Sequence, residues 1–189
     1  MIKLSKLLEG ISNSDTHWGT DKQPYYRPGA NPTVDLVVKY NDGNVTKILL
    51  IKRGSKAKAE AGKWALPGGF HDSNEPIGKM WKQGRETAKQ AAIRELTEET
   101  GLYIANLSGL NSRMKLVGVY EGGGRDPRDN KEAWSKSTAF TIELTPKDGV
   151  NINSVSGRDD AQDARWFDIK KLPSLAFDHK KIISTALSK

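Results

Sequence analysis

The sequence predicts an α/β fold, a mixed β-sheet with helices packed on its faces. Two observations carry this. Between Val34 and Ile169, short segments alternate apolar and polar residues or run briefly apolar, as strands do. Only two segments beyond the N-terminal region place apolar residues at helical spacing, one around Ala88–Leu96 and one from His179 to Leu187. Strands interrupted by so few helices bury their apolar faces as a layered sheet-and-helix domain.

Taken in order, Leu4, Leu7, Leu8 and Ile11 fall at i, i+3, i+4 and i+7, so residues 1–24 are expected to form an N-terminal helical extension. Val34, Leu36, Val38 and Tyr40 alternate with polar residues and predict a strand. Asn41-Asp42-Gly43-Asn44 supplies a hairpin turn, and Ile48 to Ile51 a buried strand. Trp64 to Leu66 reads as a short strand entering a Gly68-Gly69 turn, where backbone can approach a ligand closely. Ala88, Ala91, Ala92 and Leu96 mark one face of a helix that Gly101 stops. Met114 to Glu121, Phe140 to Leu144 and Ala164 to Ile169 supply further strands. His179, Ile182, Ile183, Ala186 and Leu187 give a closing helix. The whole chain, 1–189, reads as one domain.

Composition narrows the classes. A chain of 189 residues is large enough for a real hydrophobic core. No apolar run approaches the ~20 residues that span a bilayer, and the first residues lack the apolar centre of a secretory signal. There is no cysteine, which excludes disulfides and thiolate metal sites and fits a cytoplasmic setting. The net charge of +7 is spread along the chain without a dense basic run or basic-aromatic interleaving. Nucleic acid is therefore not the expected partner, and neither is a membrane. A homodimer is admitted.

The most informative run is Arg94-Glu95-Leu96-Thr97-Glu98-Glu99, followed by Thr100-Gly101. On a helix, Glu95, Glu98 and Glu99 stand at i, i+3 and i+4, so three carboxylates crowd one face. A bare pattern of this kind is ordinarily a solvated helix face. A divalent cation relieves the crowding, because hard ions take carboxylate oxygens and bridge them to phosphates. Arg94 lies four residues before Glu98, within ion-pair reach.

With the upstream Trp64-Ala65-Leu66-Pro67-Gly68-Gly69-Phe70, this run resembles the Nudix hydrolase box. That pattern is Gly, five residues, Glu, seven residues, then Arg-Glu-apolar-x-Glu-Glu-x-Gly-apolar. Glu86, Arg94, Glu95, Leu96, Glu98, Glu99, Gly101 and Leu102 match its second half at strict spacing. Its glycine would fall on Met80, and the Gly68-Gly69 pair lies 11 residues too early. An insertion over 72–82 accounts for this; a rival alignment pairs Gly69 with Glu75 and leaves Glu86 outside. The resemblance implies a Nudix α/β/α sandwich around the mixed sheet.

Three more segments resemble the ADP-ribose pyrophosphatase branch: Tyr25 to Pro32, Arg125 to Asn130 with Trp134, and Gly157 to Ala161 with Arg165–Ile169 and Leu175–His179. This implies hydrolysis of ADP-ribose to AMP and ribose 5-phosphate. The alternatives are another nucleotide (NADH, a nucleotide sugar or a damaged nucleoside triphosphate) or ADP-ribose sensing without cleavage. The implied cofactor is Mg²⁺ or Mn²⁺, held by Glu95, Glu98, Glu99 and a backbone carbonyl at Gly68 or Gly69. Arg94 would orient the cluster, Glu86 would support it from the same helix, and Asp159 or Asp160 are loop candidates for the base, Asp160 being preferred. Asp126 and Arg128 are the candidates for the terminal ribose, Arg being able to fork onto phosphate or vicinal hydroxyls. Arg27 and Phe177 join them. Trp64 and Trp134 offer faces for adenine, with core packing the ordinary role for Trp64. His179, on the apolar stripe of the last helix, reads equally as a satisfied structural histidine or a ligand contact, and His71 is assigned no role.

Overall fold

A computed structural model describes residues 18–20, 23–72, 86–104, 107–122 and 124–189. The helix expected near the N-terminus lies outside the described residues, as does nearly all of the insertion. Seven strands form one sheet: β1 (Gly29–Asn41), β2 (Thr46–Arg53), β3 (Trp64–Ala65), β4 (Gly68–Phe70), β5 (Lys115–Glu121), β6 (Ala133–Leu144) and β7 (Ala161–Asp168). Three α-helices are described: α1 (Ala88–Thr100), α2 (Leu107–Arg113) and α3 (His179–Leu187). The main path runs β3-β2-β1-β6-β5, with β4 also on β1 and β7 also on β2. At its centre β1 and β6 pair in parallel from Gly29↔Ala133 to Tyr40↔Leu144, while the other pairings are antiparallel. The sheet is therefore mixed.

Its two faces bury different helices. Val34, Leu36 and Val38 of β1, Leu49 of β2 and Phe140 and Ile142 of β6 meet Ala91, Ala92 and Leu96 of α1. Val37, Ile48, Leu50 and Ala139 point the other way, onto Ile182, Ile183 and Ala186 of α3. Period-two alternation along β1 thus supplies both cores and makes the α/β/α sandwich. Leu96 is 2% exposed, and burying such a side chain contributes about 1.5–3 kcal/mol.

Two local expectations need correction. Gly68-Gly69 is not a turn: both residues lie in β4, opposite Asp35 and Val34 of β1. Nor does Glu86 lie on the helix that carries Glu95, Glu98 and Glu99. The helix starts at Ala88, because Thr87 caps it, its hydroxyl accepting from Gln90 N while the Gln90 side chain reaches back to Thr87 N. The far end closes as expected, with Gly101 left-handed at φ 61° and its N–H on Thr97 O at 3.0 Å.

Candidate active site

The acidic residues occupy the C-terminal half of α1, where the helix dipole disfavours negative charge and the last turn carries no basic residue. Arg94 holds them together. Its Nη1 lies 2.8 Å from Glu95 Oε1 and 3.0 Å from Glu98 Oε2. Its Nε and Nη2 fork onto Glu86 at 3.2 and 2.8 Å, and Nη2 also donates to the Phe70 carbonyl of β4 at 2.9 Å. One guanidinium thus ties the helix to the strand beside it. Glu86, although off the helix, also accepts the Asp72 N–H at 2.7 Å, joining the two described ends of the 73–85 segment.

The glycines of β4 explain how closely the helix approaches. A Cβ on Gly69 would overlap the Glu95 carboxylate, with Glu95 Cδ only 2.6 Å away. A Cβ on Gly68 would strike the β1 backbone at Val34. Gly68 N donates to Glu99 Oε2 at 2.9 Å, so it is the amide of this residue that meets the cluster. Glu99 is 5% exposed. Burial pushes its carboxyl well above the usual range, with Glu95 adding repulsion against the Gly68 amide and Arg53. Burial likewise pushes Glu95 up to about 7, against the pull of Arg94. Among the described residues no three His, Cys, Asp or Glu side chains are gathered closely enough to hold a metal ion as they stand. The chemistry of the donor set still suits one, since Glu95 and Glu99 hold hard carboxylate oxygens that burial strains and Glu98 adds a more exposed one.

A second, cationic group stands nearby. Arg53, at the end of β2, lies 4.8 Å from the Phe177 ring centroid, and Arg128 lies 6.0 Å from the same ring. Each guanidinium perturbs the other or Glu99: burial lowers the Arg53 pKa, Arg128 lowers it further, and Glu99, Asp126 and Asp160 oppose this. Tyr26, edge-on to Phe70 at 5.0 Å, feels Arg128, Asp160 and Glu95 once burial has raised it. Arg53 and Tyr26 are thus brought to the site without having been singled out in the sequence. Arg53 ends a strand and has no local motif; Tyr26 sits in the Tyr25–Pro32 segment, where the sequence points to the charged Arg27.

The sequence-derived candidates are distributed unevenly. Glu95, Glu98, Glu99, Arg94 and Gly68 converge, while Phe177, at φ 51°, lies against Arg53. Asp160 is exposed, with its charge felt at Glu99, Arg53 and Tyr26. Arg27 is 5% exposed, near His71 and Tyr26, both of which feel its charge. Asp126 and Arg128 bond chiefly to each other, at 2.6 Å between Oδ2 and Nη2. Trp134 lies on β6 opposite Ala30. Trp64 lies on the face away from α1, edge-on to Phe167 at 4.7 Å and packed with the α3-side core. That is the packing role rather than a place near the carboxylates.

The fold and this geometry define an α/β/α sandwich with an arginine-clamped acidic helix packed on a glycine strand. The NUDIX domain model matches residues 30–186, and the chain belongs to that family. The ADP-ribose pyrophosphatase of Methanocaldococcus jannaschii is 37% identical over 137 residues, covering 72% of this chain and 63% of that protein. The mitochondrial ADP-ribose pyrophosphatase of Rattus norvegicus is 28% identical over 134 residues, covering 70% of this chain and 37% of that protein. The chain thus spans less than two thirds of either relative. Among solved structures, the NUDIX domain of Shewanella oneidensis NrtR, complexed with ADP ribose, aligns with a TM-score of 0.62 at 21% identity. That alignment covers 99% of this chain and 98% of the other, and shows the shared fold. Among the described residues no helix is long and apolar enough to cross a membrane.

Proposed function

We propose that the protein hydrolyses the pyrophosphate bond of ADP-ribose, giving AMP and ribose 5-phosphate, with Mg²⁺ or Mn²⁺ as cofactor. The observation that carries this reading is the pairing of two sites of opposite sign. Glu95, Glu98 and Glu99 crowd one side, and Arg53 and Arg128 flank Phe177 on the other. The 37% identity to an archaeal ADP-ribose pyrophosphatase supports the choice of substrate.

Glu95, Glu98 and Glu99 would hold the metal, with a backbone oxygen of Gly68 or Gly69 beside them. When bound, the metal supplies charge neutralisation at the phosphates and acidifies water. Arg94 fixes the carboxylates relative to β4, so their oxygens need not reorganise at each turnover. Arg53 and Arg128 bind the diphosphate as fork donors, while Asp126 orients the Arg128 guanidinium. Phe177 and Tyr26 supply ring faces to the nucleoside. Asp160 is the proposed base, lying at the exposed rim where a water enters.

The test is AMP release by purified protein with Mg²⁺, comparing ADP-ribose, NADH, ADP-glucose and nucleoside triphosphates. Preference for ADP-ribose supports the reading. Activity on another compound alone discards the substrate and keeps the chemistry. Binding of ADP-ribose without cleavage of any compound makes the protein a sensor.

A further inference from the structure

The sheet face opposite α1 carries a buried polar network that the proposed chemistry does not use. Asp35 of β1 is 7% exposed. Its Oδ1 lies 3.1 Å from His179 Nε2, and its Oδ2 accepts from Ser137 Oγ at 2.5 Å and Arg125 Nη2 at 3.2 Å. Arg125 continues the network, donating to Asp178 Oδ1 at 2.9 Å and Ser135 Oγ at 3.1 Å. Burial pushes the Asp35 carboxyl up, but His179, Arg125 and Ser137 outweigh it and hold it well below the usual range. Asp35 is therefore an ionised acceptor for the proton on His179 Nε2.

The other ring nitrogen reaches the segment that joins β3 to β4. His179 Nδ1 accepts the backbone N–H of Leu66 at 2.9 Å. Nδ1 thus meets the Leu66 amide and Nε2 meets Asp35, so both ring nitrogens are in use. The chain beyond Leu66 is pinned at each step. The Pro67 carbonyl accepts from Leu36 N at 2.9 Å, and Gly68 N donates to Glu99 Oε2 at 2.9 Å.

We propose that His179, oriented by Asp35, is a positioning residue that fixes the Leu66–Gly68 backbone and through it the Glu99 carboxylate. This rests on the reading of Glu99 as a metal-binding carboxylate. Arg125 opens the loop that carries Asp126 and Arg128, so Asp35 braces the strand and the substrate loop from one buried point.

The two amide isosteres separate the functions of the ring. In His179→Asn the Oδ1 stands near the Nδ1 position and keeps an acceptor for Leu66. In His179→Gln the side-chain NH₂ stands near Nε2, serving Asp35 and leaving Leu66 N–H without an acceptor. The readouts are amide hydrogen exchange at Leu66 and Gly68 in metal-free protein, Mn²⁺ affinity by electron paramagnetic resonance, and kcat and KM. For H179Q we expect exchange at both amides to rise about tenfold, Mn²⁺ to weaken about tenfold, and kcat to fall with little change in KM. H179N should stay within about threefold of the parent on each. Equal losses in both variants, or losses that follow melting temperature alone, would overturn the proposal. If H179Q does not fold, H179N decides, since lost Leu66 protection despite its acceptor refutes the role. The exchange measurement needs neither metal nor substrate, so a protein that cleaves no nucleotide fails the functional reading without touching this one.

Discussion

Replacing Glu95 by Gln removes a charge that the fold strains to hold and leaves the shape nearly intact. Gln retains an oxygen to accept the Arg94 Nη1 donor that now lies 2.8 Å from Oε1. In the parent, burial raises the Glu95 carboxyl from 4.5 to about 7. A carboxyl with a raised folded-state pKa binds its proton more tightly folded than unfolded, so its contribution to stability falls as pH rises through that window. The full shift corresponds to about 3 kcal/mol, of which about 2 kcal/mol is lost between roughly pH 5.5 and pH 8. Glu99 shifts in the same direction in both proteins and adds to the background. Urea unfolding of metal-free protein, with chelator present, should therefore show E95Q gaining about 2 kcal/mol on the parent across that pH interval. Added Mg²⁺ should restore the parent most strongly at the higher pH and do less for E95Q. Identical pH dependence in the two proteins would refute the claim that Glu95 is strained in the fold.

Glu98→Gln should lower kcat by about two orders of magnitude or more with the circular dichroism spectrum unchanged; near-normal turnover removes it from the metal set. Gly69→Ala places a methyl into the Glu95 carboxylate, so Mn²⁺ affinity should drop while the melting temperature falls modestly. An alanine variant that binds Mn²⁺ normally would show that close approach is not required. Arg128→Ala should raise KM for ADP-ribose more than for ADP, and should also destabilise, because Asp126 at 4% exposure loses its ion partner. Adding Asp126→Asn should recover the stability and not the KM; recovery of both would make the pair purely structural.

Much of the fold was legible because apolar alternation and burial coincide. β1, β2 and the C-terminal helix were found from that pattern, and Gly101 from its stop signal. The N-terminal half of β6 was not, since Ser135 and Ser137 are buried polar residues. They face Arg125 and Asp35, so alternation there reads as a polar loop until the network that satisfies them is known. Motif spacing alone places Glu86 on the helix, although Thr87 followed by Gln90 is itself a start signal. The acidic cluster was readable because a helix makes i, i+3 and i+4 neighbours by local geometry. Arg53, Tyr26 and the His179–Leu66 bond were not, because strands far apart in the chain bring them together.

The Gly68-Gly69 pair shows why the two kinds of information must be joined. As sequence, two glycines suggest a turn, and the conformational reason is sound. In the fold their use is the absence of side chains: Gly68 lies against Val34, and Gly69 leaves room for Glu95. A helix carrying three carboxylates can then press onto a strand whose neighbouring carbonyl, Phe70 O, and amide, Gly68 N, engage Arg94 and Glu99 respectively. Such contact strains Glu95 and Glu99 by burial, and a cation bound as proposed would relieve that strain. Substitutions that remove the strained charge without adding bulk, as Glu95→Gln does, should therefore stabilise the metal-free protein as pH rises while weakening its hold on metal, whereas the clash created by Gly69→Ala lowers both.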